Sequence, residues 1–259
     1  MATLPPVLPQ RRTHLRLALY LAIAAMAASL LLQPYLMATM PHAFSRLPMP
    51  YWQILLIQLL QAGVMCFVLA WAGLTLGARH GLGAPWLQAW IEHRHATPPG
   101  RWAVAIGLGA ASSVAVIALT HFVPGLLPHQ AGDVGTGMAW RGALASFYGG
   151  IVEETMCRLF VVSLLVWLLA LGNHRHAVTW MFVAAIVIAA ILFGAGHLPG
   201  AFAMGLPRTA ATATSIIGLN AIVGVVCGGI YWKYGLEHAI AAHFSADLVL
   251  HVIQPLLGG

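Results

Sequence analysis

Apolar stretches long enough to cross a lipid bilayer recur seven times along this chain, and nothing else in the sequence limits the fold so severely. They run over about Leu15–Met40, Trp52–Leu76, Trp102–Val123, Trp140–Leu171, Ala177–His197, Ala210–Trp232 and Leu236–Ile253. A hydrocarbon core roughly 30 Å thick needs about 17–25 helical residues. Backbone groups in lipid must hydrogen-bond within their own segment, so helices are expected. The alternation of apolar and polar residues that marks a barrel strand is absent. The expected fold class is all-α, a polytopic transmembrane helical bundle of about seven spans within limits of about six to eight.

Composition points the same way. Of 259 residues, 60% are hydrophobic and 7% charged, against roughly a quarter charged in soluble domains. Such a chain cannot keep a water-facing surface wet, and its solvent is mostly lipid. The net charge of +6 comes from eleven Arg and Lys233 scattered among span ends. No basic stripe is interleaved with aromatics, so no nucleic-acid partner is expected. Cys66, Cys157 and Cys227 each lie alone in an apolar run, without paired spacing. They are expected to be packing thiols rather than a disulfide framework or a metal cluster.

Arg11 and Arg12 precede the first stretch, which lacks a small-residue cleavage site and reads as an uncleaved span. Pro98, Pro99 and Gly100 mark one loop, and Pro124, Gly125 and Pro128 another. Between the second and third spans, Pro85–His95 is expected to lie along the interface with Trp86 and Trp90 at headgroup level. Arg11, Arg12, Arg16, Arg79, Arg94, Arg101, Arg175 and Lys233 fall on one side of the bundle, and Arg46, Arg141 and Arg208 on the other. That asymmetry puts the N-terminus in the cytoplasm.

The chain holds six carboxylates. Glu92, Asp133 and Glu237 sit at loops or span ends, where water is expected to reach them. Glu153, Glu154 and Asp247 lie inside apolar runs, with Arg158 beside the two glutamates. A charge at the bilayer centre costs about 2.5–3.5 kcal/mol, so these groups are expected to face a cavity and one another. Glu154 and Arg158 are one helical turn apart and can pair. Glu153 is rotated about 100° from Glu154 and points elsewhere. One carboxylate is then ion-paired and the other free to act as a base, or the group is an ion-paired knot that locks helices together.

Two further patterns are helical. Phe193 and His197 share a face across Gly194-Ala195-Gly196. His243 and Asp247 share another in the last span, where they can orient an imidazole, bind a metal or close a helix contact. His14, His42, His80, His93, His95, His174 and His176 read as loop or flank residues, while His121, His129, His238 and His251 have no patterned partner.

In order, Glu153-Glu154-x-x-x-Arg158, Phe193-x-x-x-His197 and His243-x-x-x-Asp247 resemble the signature of the CPBP family, also called Abi. This family comprises CAAX prenyl endopeptidases and bacteriocin-processing proteins. The resemblance covers about Trp140–Ile253, dividing the chain into N-terminal helices over residues 1–137 and a CPBP-like catalytic core over 138–259. It implies an intramembrane endopeptidase in which Glu153 activates water with His197 as its partner. His243 and Asp247 would stabilise the oxyanion, and Glu154 and Arg158 would support the site, with Phe193 beside them. Members are described both as glutamate proteases and as metalloproteases, so a zinc ion on His197, His243 and Asp247 is a second expectation. The implied partners are the bilayer and a membrane-associated peptide or protein.

Two positions depart from the family pattern. Leu159 follows the motif arginine where glycine is common, and Asp247 ends the third motif where asparagine is frequent. An ionised Asp cannot donate to an oxyanion, so either Asp247 is protonated, or it orients His243, or it binds metal, or activity is altered, with the balance slightly towards metal. The alternatives outside catalysis are a scaffold or bacteriocin-immunity protein that keeps the fold, and an ion or proton transporter, for which no inverted repeat speaks. The abundance of Arg over Lys and of Ala suggests a GC-rich bacterial genome, hence an inner-membrane location. Depth sets a condition as well. At 1.5 Å per residue Glu153 lies about 20 Å from Trp140, whereas His197 ends its own run. Either the fourth span begins later than Trp140, or the fifth continues past Leu198 or turns back.

Overall fold

The computed structural model describes residues 7–45, 47–94, 100–127 and 135–258. Arg46, His95, Pro98, Pro99, Pro128, His129 and Asp133 lie outside the described residues. Seven helical segments are long and apolar enough to cross a membrane: Arg11–Thr39, Tyr51–His80, Trp102–Phe122, Thr136–Leu171, Thr179–Ala203, Ala210–Tyr234 and Leu236–Leu256. No strand occurs among the described residues. The all-α polytopic bundle is therefore the observed fold, and the chain is an integral membrane protein.

The segregation of side chains follows the lipid solvent. Large apolar residues such as Ile57, Val64, Trp180 and Leu192 face outward, while Ala, Gly and Ser fill the contacts between helices. Small residues let helix backbones approach where lipid offers no hydrophobic driving force. Ser245 of the seventh span donates to the Ile106 carbonyl of the third at 2.9 Å. The second and fourth spans meet at Gly73, where an added Cβ would strike the Leu159 backbone. This explains one departure from the family pattern: Leu159 is fully buried, and the glycine that permits close approach stands on the neighbouring helix instead.

Several elements differ from expectation. The first span breaks at Leu32, ahead of Pro34, into helices Val7–Leu31 and Gln33–Thr39. The interfacial helix is shorter, Pro85–Ile91. Trp90 is exposed as expected, but Trp86 turns inward against Trp102, ring centroids 5.5 Å apart. Glu237 is not solvated as expected: its Oε1 accepts from the Leu87 amide at 2.8 Å and its Oε2 is buried. That carboxylate ties the interfacial helix to the start of the seventh span. His238 has partners too, stacking on Trp102 at 4.1 Å and accepting from the Arg101 amide at 3.2 Å.

The fourth span begins at Thr136, earlier than Trp140, and the fifth carries on through a short helix over Leu198–Ala203. Of the alternatives for depth, continuation of the fifth span is the one realised. The fourth span is also not a regular α-helix. It widens into π-helical turns over Gly149–Glu153 and Thr155–Val162, and the seventh does so over Val249–Ile253. Such turns are uncommon and cluster at functional sites. Here they carry Glu153, Arg158 and His251.

Candidate active site

Three spans bring the motif residues to one place. Glu154 of the fourth span is fully buried, and its Oε1 lies 3.0 Å from Arg158 Nη1. Arg158 also donates from Nη2 to the Gly224 carbonyl of the sixth span at 3.2 Å. Its guanidinium covers the Phe193 ring at 4.7 Å, so one cation is held by a carboxylate, a carbonyl and an aromatic face at once. The other face of the cluster is imidazole. His243 of the seventh span donates from Nδ1 to the same Glu154 Oε1 at 2.6 Å, a charge-assisted bond short enough to fix the ring.

That bond aims His243 Nε2 at two further carboxylates, Glu153 Oε2 and Asp247 Oδ1, each 3.6 Å away. His197 approaches from the fifth span. Its Nδ1 donates to the Phe193 carbonyl at 2.9 Å, which leaves the Nε2 lone pair facing Glu153 Oε1 at 4.0 Å. Phe193 stands edge-on to both imidazoles, 4.7 Å from His197 and 5.5 Å from His243. Glu153 and His197 keep 25% and 36% side-chain exposure against 0% for Glu154. The two glutamates thus divide as their rotation suggested, one sealed in the protein and one open to a small molecule.

Gly149 shapes this space. A Cβ there would overlap Asp247 Oδ2 and come within 3.1 Å of His243 Nε2. Gly149→Ala is expected to leave the fold intact but displace both groups, and misplacement by about 1 Å costs roughly 10²-fold in rate. Cleavage assays alongside thermal unfolding check it; unchanged turnover would show that Asp247 and His243 tolerate the shift.

Cys227 is the residue that the sequence left as a packing thiol. It is fully buried on the sixth span, and ligand atoms of Glu154, Cys227 and His243 all lie within 4.8 Å of one another. A metal could be held by such a trio, and of the expected set His197, His243 and Asp247 only His243 belongs to it. His197 is directed to Glu153 instead. Glu154 Oε1 is engaged already, bonded to His243 Nδ1 at 2.6 Å and paired with the Arg158 cation, whereas Glu154 Oε2 is buried without a hydrogen-bond partner and is the oxygen such a trio would offer a metal. The missed signal was weak: Cys227 is more than sixty residues from Glu154, with no motif linking them.

Fold and cluster define a polytopic helical membrane protein with an acid–imidazole centre inside the bundle. Residues 135–249 match the family described as Type II CAAX prenyl endopeptidase Rce1-like, in agreement with the CPBP resemblance of the three motifs. The match spans all seven motif residues, leaves the first three spans outside it, and supports a membrane protease. No curated protein and no solved structure matches the chain.

Proposed function

We propose that this protein is a glutamate-type intramembrane endopeptidase that hydrolyses a peptide bond of a membrane-associated protein or peptide. One observation carries the reading: Glu153 is flanked by imidazoles from two other spans, with His197 Nε2 at 4.0 Å and His243 Nε2 at 3.6 Å. A water between Glu153 and His197 donates one hydrogen to the carboxylate and the other to the Nε2 lone pair. Its oxygen lone pair is then free to attack a carbonyl, with Glu153 taking the proton. His243, protonated on both nitrogens, donates from Nε2 to the oxyanion as charge develops there. Glu154 holds that ring in place through Nδ1, and Arg158 holds Glu154. Asp247, its Oδ1 3.6 Å from His243 Nε2, attracts the charged ring before substrate arrives, an orienting role that an ionised carboxylate can fill where an oxyanion donor is impossible. Glu153 returns its proton to the leaving amine as the tetrahedral intermediate collapses.

The family description makes a prenylated peptide ending in a CAAX sequence the first substrate to try. The arginine asymmetry favours a cytoplasmic N-terminus, and the composition a bacterial inner membrane. The test is cleavage of that peptide by the protein in liposomes, before and after treatment with 1,10-phenanthroline. Turnover is expected to persist at its starting rate once the chelator is removed. Loss that zinc restores would overturn the metal-free mechanism, and no turnover at all would favour the scaffold or immunity reading that Asp247 first suggested.

A further inference from the structure

His251 has no part in the reaction above, and its surroundings do not explain it as packing. It lies one turn beyond Asp247, where the seventh span widens into π turns. Its backbone packs directly against Gly142 of the fourth span. Its ring stands edge-on to Tyr35 of the first span, with centroids 5.6 Å apart and planes at 68°. It is half-buried, and among the described residues its ring nitrogens make no hydrogen bond within the chain. Two turns further along the fourth span, Gly149 faces Asp247 and His243 as Gly142 faces His251, so the imidazole lies beside the site in the same seam between the fourth and seventh spans.

The ring nitrogens are not sealed inside the protein, so their hydrogen-bonding capacity is open to a molecule that enters beside the span. The chemistry of the pocket says what would use it. Glu153 and Asp247 disfavour an anion beside the ring, whereas a neutral imidazole offers one donor and one acceptor, matching a peptide group. A substrate held in extended form presents a main-chain amide or carbonyl about every 3.3 Å, so groups flanking the scissile bond come within reach of a side chain one turn from Asp247. We propose that His251 is a substrate-binding residue that hydrogen-bonds the peptide main chain beside the scissile bond, with Tyr35 steadying its ring. This rests on the endopeptidase reading and extends the site beyond residues 135–249 of the family match.

Binding of the prenylated CAAX peptide is measured in the Glu153→Gln protein, which leaves the peptide whole, and KM and kcat in the active protein. His251→Phe keeps the ring against Tyr35 and removes both nitrogens, while His251→Gln supplies a donor and an acceptor again. The expected result is a Kd and a KM about fivefold higher in His251→Phe, the worth of one hydrogen bond, with kcat nearly constant and most of the loss recovered in His251→Gln. Should His251→Phe not fold, His251→Leu carries the same expectation. Unchanged Kd and KM, or a fall confined to kcat, overturns the assignment. A Kd shift without any cleavage by the active protein would remove the endopeptidase reading while keeping His251 as a binding residue; no binding by the Glu153→Gln protein would remove both.

Discussion

Arg158→Met is expected to destabilise the folded protein by about 3–5 kcal/mol, the cost of leaving a buried carboxylate without its cation. The pair Arg158 and Glu154 is 1% and 0% exposed, so water cannot replace the missing guanidinium. Glu154 Oε2 already lacks a hydrogen-bond partner within the chain, and the His243 bond to Oε1 would then carry the whole charge. The loss should be largely recovered in the double variant Arg158→Met, Glu154→Gln, which removes the orphaned charge along with its partner. Denaturant-induced unfolding in detergent micelles measures both. If Arg158→Met were as stable as the parent, Glu154 would have to be neutral in the folded protein, and the charge-fixed orientation of His243 would be lost.

Glu153→Ala should lower turnover by about 10²–10⁴-fold, the usual worth of a general base, with little effect on stability, since the side chain is partly exposed rather than sealed in the core. His197→Ala should cost nearly as much. The double variant should cost little more than either alone, because two groups that hold one water act as a unit. Initial rates on the anchored peptide give the three ratios. Independent, multiplying losses would place the two residues in separate steps.

Much of this architecture is readable without coordinates, because lipid imposes a strong pattern: long apolar runs must be helices, and rare charges within them must find each other. Helical spacing puts Glu154 with Arg158, Phe193 with His197 and His243 with Asp247 on shared faces; that these faces meet with Glu153 in one site is what the family resemblance implies. What stayed hidden has physical causes. The π turns at Gly149–Glu153 and Val249–Ile253 break the 3.6-residue period on which face assignments rest, and the contact of His251 with Tyr35 of the first span follows from no local spacing. Cys227 and Gly149 reach the cluster through tertiary packing between spans, which no local spacing records. Trp86 turns inward because Trp102 and the buried His238 offer it an aromatic surface, an attraction that competes with the headgroup layer. Leu159 is accommodated by Gly73, eighty-odd residues earlier in the chain.

The most direct measurement is the mass of the products when the protein, reconstituted in liposomes, meets a membrane-anchored peptide in water enriched in ¹⁸O. Two fragments whose masses sum to the peptide plus one labelled water, formed by the parent and not by Glu153→Ala, are the expected result. An intact peptide with the parent protein, or the same fragments at the same rate from both, would mean that the acids and imidazoles of the fourth, fifth and seventh spans do not hydrolyse amides.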